Sequence, residues 1–437
     1  MSMRASIYNN YLVIDNMHTL LFNSLSQRFH LFKNRIVDSE LALLNVSRNS
    51  GMQFHDKLKE GGMIVEEDVD EVDIVRKLIT ETDYDTKSFM LIVNPTLDCN
   101  FNCWYCYERK IADSRMSPDI LESVKKLVNK IFRENDSLEN FYLSFFGGEP
   151  LLHFDDIVAP LIDYISHAAR CMDVNLSVNF TSNGFLITRS MIEKLRRLKT
   201  SFQITLDGGR QMHDKTRFSK GGSGSYDGII RNVKRLLANG INVILRINFT
   251  QKNIDSVWHI VYDIAEIDTL HKKYLNVDLQ RVWQDRKHEY DDTEETADKI
   301  RASLREKGFT VSTNNLFQDV KSSCYGDKKN TMLVNFNGDV FGCTARDFTL
   351  ENRIGFLCED GSIKLEEEKY ELRMKAKFSQ RVCHTCRIAP LCGGGCRQQA
   401  VEHYGMNECY YEYSDEFINK KILSLFELQY LCDRTEA

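Results

Sequence analysis

Proline is scarce, with five in 437 residues, which excludes long polyproline linkers and stalks. No stretch approaches the ~18 consecutive apolar residues of a membrane span, so no membrane partner is expected. Basic charge is not in excess either: 57 Lys and Arg stand against 63 Asp and Glu, a formal net charge of −6. A large nucleic-acid footprint has no compositional support, and no nucleic-acid partner is expected. The opening residues, MSMRASIYNNYLVIDN, hold no hydrophobic signal core, which predicts a cytoplasmic protein. With 42% hydrophobic and 27% charged residues, the chain has an ordinary globular composition, which excludes wholesale disorder. Cysteine is what stands out. The 13 cysteines are too few for a disulfide scaffold and too clustered for scattered core thiols. In a reducing cytosol such clusters point to metal or redox chemistry.

At ~100–200 residues per domain, the length suggests two to four domains. Residues 1–85 read as a small α+β unit. Short strands at Tyr11–Ile14, Leu20–Phe22 and Arg28–Phe32 are followed by helices at Asp38–Val46 and Met52–Glu60, then Gly61-Gly62 and an apolar Met63-Ile64-Val65. An acidic segment, Glu66–Asp73, closes it. Over residues 86–310 the pattern becomes strand, loop, helix, repeated. The strands are placed at Phe89–Val93, Phe141–Phe146, Leu176–Phe180, Phe202–Leu206, Val243–Phe249 and Val277–Val282. Helices are placed at Pro118–Glu134, with Ser117 as cap, and near Ile157–Ala169, Ser190–Leu198, Tyr226–Ala238 and Ile254–Ile267. This predicts an α/β fold with a parallel, barrel-like sheet, which places chemistry on the loops after the strands. Residues 311–437 hold most of the remaining cysteines but few regular apolar runs, so metal centres are expected to supply stability there.

Cys99-x3-Cys103-x2-Cys106 follows the first of these strands. Structural zinc sites close with four ligands, so three thiolates imply an open coordination position. A cubane iron–sulfur cluster held by three cysteines leaves one iron for another molecule. The alternative is a zinc knuckle that borrows a distant ligand.

This spacing, with the aromatic Tyr105 before the last cysteine, resembles the signature of radical SAM enzymes. The resemblance implies a partial (β/α)6 barrel and a [4Fe-4S] cluster on Cys99, Cys103 and Cys106. The unique iron would bind S-adenosylmethionine (SAM), whose reductive cleavage gives a hydrogen-abstracting 5′-deoxyadenosyl radical. Gly147-Gly148-Glu149-Pro150 matches the family's GGE motif, whose backbone and carboxylate hold the SAM amino group. Thr181-Ser182-Asn183-Gly184 resembles the segment that contacts ribose and carboxylate. Asp207 and Arg217 lie in a further family-like stretch, Arg217 being implied to pair with the SAM carboxylate. A structural salt bridge between the two is the competing reading. Arg246 and Asn248 are further candidates, and Ser219–Ser225, without a phosphate-loop ending, reads as a mobile segment near the barrel mouth.

Cys324, Cys343, Cys383-x2-Cys386-x5-Cys392-x3-Cys396 and Cys409 resemble the seven-cysteine SPASM pattern. It implies one auxiliary [4Fe-4S] cluster on Cys324, Cys343 and Cys396 and another on Cys383, Cys386, Cys392 and Cys409, three clusters in all with the SAM-binding one. The stretch Thr313–Ser323 lacks the extra cysteine of sulfatase maturases. The first auxiliary cluster then has an open iron, unless Cys358 completes it. Cys171, Cys358 and Cys432 are otherwise expected to be buried inert thiols, Cys432 competing with Cys409. A zinc-ribbon scaffold on the last cysteines is the non-enzymatic alternative.

The resemblance extends to maturases of ribosomally made peptides (RiPPs). Residues 1–85 are similar in layout to the winged-helix-like domain that takes a leader peptide as an added strand; a packing extension is the alternative. A precursor peptide is therefore the implied partner, with a flavodoxin- or ferredoxin-type electron donor. The expected reaction is an intrapeptide cross-link, carbon–carbon, ether or thioether. The rival is oxidation of a cysteine or serine to formylglycine by a sulfatase maturase, for which Asp278 or Asp285, around Val277–Arg286, is a candidate base.

Overall fold

The computed structural model describes residues 2–33, 39–49, 51–285, 291–312 and 320–430. Asp38, Arg286, residues 313–319 and Cys432 lie outside them. The chain divides into two units. One comprises Met1–Asp85, Asn315–Lys329 and Glu368–Ala437; the other comprises Thr86–Asn314 and Asn330–Glu367. The expected succession 1–85, 86–310 and 311–437 is thus redistributed, for reasons that lie in the sheets.

In the first unit, strand β1 (Met3–Ala5) pairs with β5 (Ile64–Glu66), and β2 (Asn9–Val13), β3 (Thr19–Asn23) and β4 (Arg28–Phe32) form an antiparallel sheet in the order β2-β3-β4. Alternation along β3 sends Leu21 to one face and Leu20 and Phe22 to the other. Leu21 packs with Leu43, Leu58 and Ile64, from helices Glu40–Asn49 and Met52–Glu60 and from β5. Leu20 and Phe22 pack with Ile388, Leu391, Ile418 and Ile422 of the C-terminal segment. Both faces of β3 are buried, and the amino-terminal sheet shares its core with the cysteine-rich end of the chain. The acidic segment does not close this part of the chain, because a helix begins within it. Asp70 caps a further helix, Glu71–Asp83, by accepting the amide of Asp73.

That helix ends in a buried ion cluster. Asp83 accepts from Arg397 (2.7 Å), Lys377 (3.1 Å) and Ser323 Oγ (2.8 Å), and Lys377 also meets Asp327 at 3.0 Å.

The six strands expected in the second unit all form, each beginning one to three residues early: β6 (Ser88–Val93), β7 (Asn140–Phe145), β8 (Asn175–Ser182), β9 (Lys199–Leu206), β10 (Asn242–Phe249) and β11 (Leu275–Arg281). They pair in parallel in sequence order. Helix Pro118–Glu134 starts where expected, with Ser117 Oγ accepting the amide of Ile120, and buries Val124, Leu127, Val128 and Phe132. The sheet continues past both ends of this run. A short β12 (Thr310–Val311) pairs with β11. At the other end β13 (Thr331–Val334) lies parallel to β6, followed by antiparallel β14 (Asp339–Phe341), β15 (Arg353–Leu357) and β16 (Ile363–Leu365). Residues 330–367 therefore belong to the sheet of the α/β unit and not to a separate C-terminal domain.

Side chains on the strands alternate in burial. On β9, β10 and β11 the buried set is mostly apolar, including Ile204, Leu206, Val243, Leu245, Ile247, Val277 and Leu279, with Thr200 and Arg281 also buried. The alternate set is half-buried and mostly polar, including Gln203, Thr205, Arg246, Asn248, Asp278 and Gln280. No helix among the described residues is long and apolar enough to cross a membrane.

Candidate cluster and cofactor site

The loops after β6, β7, β8 and β9 bring the predicted motifs together. The turn carrying Gly147 and Gly148 lies directly on the segment that leads into Cys99. Gly148 donates its amide to Thr96 O (3.1 Å) and Glu149 donates to Asp98 O (2.8 Å). A Cβ on Gly148 would stand 2.0 Å from Asp98 O, and one on Gly147, where φ is +94°, would stand 2.4 Å from Thr96 O. Both positions are reserved for glycine by contact with the cysteine loop. Pro150 then opens a short 3-10 turn, Pro150–His153.

The Glu149 carboxylate is fully buried and occupied by the chain itself. It accepts from Ser182 Oγ (2.8 Å), Asn183 N (2.8 Å) and Leu151 N (3.1 Å). Burial raises its pKa, opposed by these donors and by the charge of Arg217. Within the chain, this carboxylate fixes the β8 loop to the β7 loop. Asn183 in turn donates Nδ2 to Asn100 Oδ1 at 2.7 Å, reaching the cysteine loop.

Tyr105, between two of the cysteines, is the centre of a second network. Its hydroxyl donates to Asp207 (2.7 Å to Oδ2) and accepts from Arg217 Nη1 (2.6 Å) and Asn248 Nδ2 (3.2 Å). Asp207 and Arg217 share that hydroxyl between them. Burial raises the Asp207 carboxyl while Arg217 opposes the rise. His213 completes the support: Asp207 N donates to its Nδ1 (3.2 Å), and its Nε2 lies 2.9 Å from Ser225 Oγ, which donates to Arg217 O. This arrangement fits an imidazole protonated on Nε2 and neutral, its pKa held well down by burial and by Arg217. Tyr105→Phe removes a hydrogen bond to an ionised partner on either side, a loss of about 1.5–3 kcal/mol for such bonds. We expect SAM affinity to fall roughly 10–100-fold with iron loading unchanged, read by titration of the reconstituted protein. An unaltered dissociation constant would make the network purely structural.

The Ser219–Ser225 segment, expected to be mobile, is tied to the cysteine loop. Phe101 and Ser219 form an antiparallel bridge, Lys220 N donates to Asn100 O (2.9 Å), and Lys220 Nζ meets Asp98 at 2.8 Å. Periodicity carries no signal for such a pairing.

The donor set fits an iron–sulfur cluster with SAM. Cys99 is buried, Cys103 half-buried and Cys106 exposed. Burial and the nearby Glu149 push the Cys99 thiol up to about 12, and Phe101 N donates to its sulfur at 3.4 Å. An all-sulfur set with an amide donor on Cys99 suits iron–sulfur binding and not a hard cation. Arg217 Nε is buried without a hydrogen-bond partner among the described residues, a donor available to a carboxylate.

In the other unit, Cys383, Cys386, Cys392 and Cys409 act electrostatically on one another. Burial pushes Cys383 and Cys392 up to about 12, and the amide of Gly395 opposes the rise at Cys392. Gly393, Gly394 and Gly395 all have left-handed φ, +62°, +78° and +72°, which only glycine adopts freely in succession. Cys324 and Cys396 also belong to this unit, and Cys343 to the α/β unit. Among the described residues no three His, Cys, Asp or Glu side chains converge on a point that a single metal ion could fill. Cys171 is exposed and Cys358 half-buried, so neither is the buried thiol expected.

Residues 93–264 match the radical SAM superfamily. The chain carries a radical SAM domain. Two relatives share it at low identity. A cysteine-type anaerobic sulfatase-maturating enzyme of Clostridium novyi is 26% identical over 183 residues, 39% of this chain and 47% of that protein. The radical SAM cyclopropyl synthase TigE of Paramaledivibacter caminithermalis is 24% identical over 200 residues, 43% of this chain and 40% of that protein. The chain thus matches less than half the length of these relatives. Streptococcus suis SuiB, solved bound to precursor peptide SuiA, has a similar fold with a TM-score of 0.51 at 14% identity, covering 95% of this chain and 99% of that one. The radical SAM domain implies a [4Fe-4S] cluster and SAM, for which Cys99, Cys103 and Cys106 are the candidate ligands.

Proposed function

We propose that the protein is a radical SAM/SPASM peptide maturase that forms an intrapeptide cross-link in a ribosomally made precursor. Cys99, Cys103 and Cys106 would hold the SAM-binding cluster, with Gly147–Pro150, Ser182, Asn183, Tyr105, Asp207 and Arg217 shaping the SAM pocket. When bound, cluster and SAM supply a 5′-deoxyadenosyl radical that removes hydrogen from an unactivated carbon. The protein's part is to hold the reacting carbon in place and to exclude water. Each bond closed would remove two hydrogens and leave one surplus electron, which auxiliary clusters on the C-terminal cysteines would accept. A flavodoxin- or ferredoxin-type donor would supply the initiating electron.

The observation that carries this reading is the three-stranded sheet of the first unit. β2 and β4 are its edges, and β4 is exposed at Arg28 and Leu31. An edge strand offers unpaired backbone groups to an extended peptide, the mode in which a leader adds a strand. The likeness to a fold solved with a precursor peptide along nearly its whole length supports the same partner.

A second reading, formylglycine formation, is favoured by one residue. Asp278 lies on the polar face of β11, its Oδ1 accepting from Gln280 Nε2 at 2.8 Å, whereas Asp285 is engaged by Arg281 at 3.2 Å and by Gln251 N at 2.9 Å. The ion pair of Asp285 leaves Asp278 as the candidate base for this reading.

Anaerobic co-expression with a short open reading frame encoded beside the gene, followed by tandem mass spectrometry, separates the two. A peptide lighter by two hydrogens, with fragmentation blocked between two residues, is expected. An aldehyde-reactive product would replace this reading with formylglycine formation.

A further inference from the structure

Among the described half-buried residues of the strands, one cation makes neither hydrogen bond nor ion pair. Arg246 lies in the middle of β10, in register with Thr205 on β9 and Asp278 on β11. Its face is settled by alternation: Val243, Leu245 and Ile247 are fully buried, while Asn248, two residues on, reaches Tyr105 in the cysteine loop. Arg246 therefore belongs to the face that carries the site, about 6.6 Å further down the strand than Asn248 at ~3.3 Å per residue. A guanidinium stays charged at any working pH. Among the described residues it makes neither hydrogen bond nor ion pair. Asp278, its register partner, spends Oδ1 on Gln280 instead. The other large cations of this unit's interior behave differently: Arg217 binds Tyr105, and Arg281 grips both oxygens of Asp291 at 2.9 Å.

Leaving a half-buried guanidinium without an anion is costly unless a ligand supplies one, and the fork geometry of arginine matches a carboxylate. We propose that Arg246 is a carboxylate receptor within the barrel. The carboxylate comes from an acidic residue of the substrate peptide, that of SAM having Arg217 as its candidate partner. The inference deepens the function proposed above and shares its assumption that chemistry takes place on this face of the strands.

The test uses full-length protein reconstituted anaerobically, comparing wild type, Arg246→Gln and Arg246→Lys, with iron content and thermal unfolding as controls for folding. SAM affinity is measured by equilibrium dialysis. Binding of N-acetyl-aspartate methylamide, against N-acetyl-asparagine methylamide, is measured by ligand-observed NMR in the presence of SAM. A tenfold or greater loss of SAM affinity in Arg246→Gln, partly restored in Arg246→Lys, would overturn the proposal by placing Arg246 in the SAM pocket. Unchanged SAM affinity, with the preference for the aspartate probe abolished, supports it with the substrate as source. If neither ligand responds in a folded, iron-loaded Arg246→Gln protein, the proposal is wrong. Because both readouts are binding equilibria, failure to find a cross-linked peptide would overturn the proposed reaction without deciding this point.

Discussion

Replacing Cys99, Cys103 and Cys106 together by alanine is expected to abolish 5′-deoxyadenosine formation while leaving iron and sulfide on the C-terminal cysteines. Apart from the bond from Phe101 N to Cys99 Sγ, the loop that carries the three thiols is shaped by contacts that do not use them. It is held by Gly148 N to Thr96 O, Glu149 N to Asp98 O, Lys220 N to Asn100 O and the Tyr105 hydroxyl network. Loss of activity would therefore report lost ligands and not a collapsed loop. Cys99 is the most buried of the three, and each thiol must give up its proton on binding iron, so no single neighbour replaces the set. Anaerobic reconstitution with iron and sulfide analysis, together with chromatographic assay of deoxyadenosine, checks both halves of the prediction. Residual SAM cleavage in the triple variant would overturn the assignment of the cluster site.

Asp83→Ala is expected to destabilise the first unit by about 3–5 kcal/mol, the usual result of removing one partner from a buried ion cluster. The Asp83 side chain is 1% exposed, and Arg397 and Lys377, which meet it, are 3% and 4% exposed. Alanine would strand Arg397 without a carboxylate and leave Lys377 with Asp327 alone. Anaerobic denaturant unfolding should show an early transition in the variant, with loss of C-terminal iron but retained formation of deoxyadenosine. An unfolding curve that overlays wild type would show that the cluster of charges adds nothing to stability. Deleting residues 1–85 would remove Asp83 together with Leu20 and Phe22, so such a deletion tests folding as much as peptide recognition.

What the sequence revealed and what it hid divide along physical lines. The strands β6 to β11 were legible because each is a short apolar run between turn residues, and helix Pro118–Glu134 because its cap, proline and apolar spacing agree. The glycine pair at 147–148 was legible as a motif, but its reason, contact with Thr96 and Asp98 carbonyls, is a long-range fact. Strands of three to five residues such as β13 to β16 carry no local signature strong enough to assign them to one sheet. The pairing of Leu20 and Phe22 with Ile418 and Ile422 joins segments almost the whole chain apart, which no periodicity encodes. The Tyr105 hydroxyl network was hidden for the same reason: its partners come from three separate loops and strands. A lone cysteine reads as apolar, so the exposure of Cys171 at the end of its helix has no signal in the sequence.

The two-sided burial of β3 bears on how such a protein can be re-engineered. Exchanging only the first 85 residues with those of another protein of similar fold would graft a foreign surface onto Ile388, Leu391, Ile418 and Ile422. A functional chimera should instead swap both ends of the polypeptide as a pair, retaining the intervening catalytic portion.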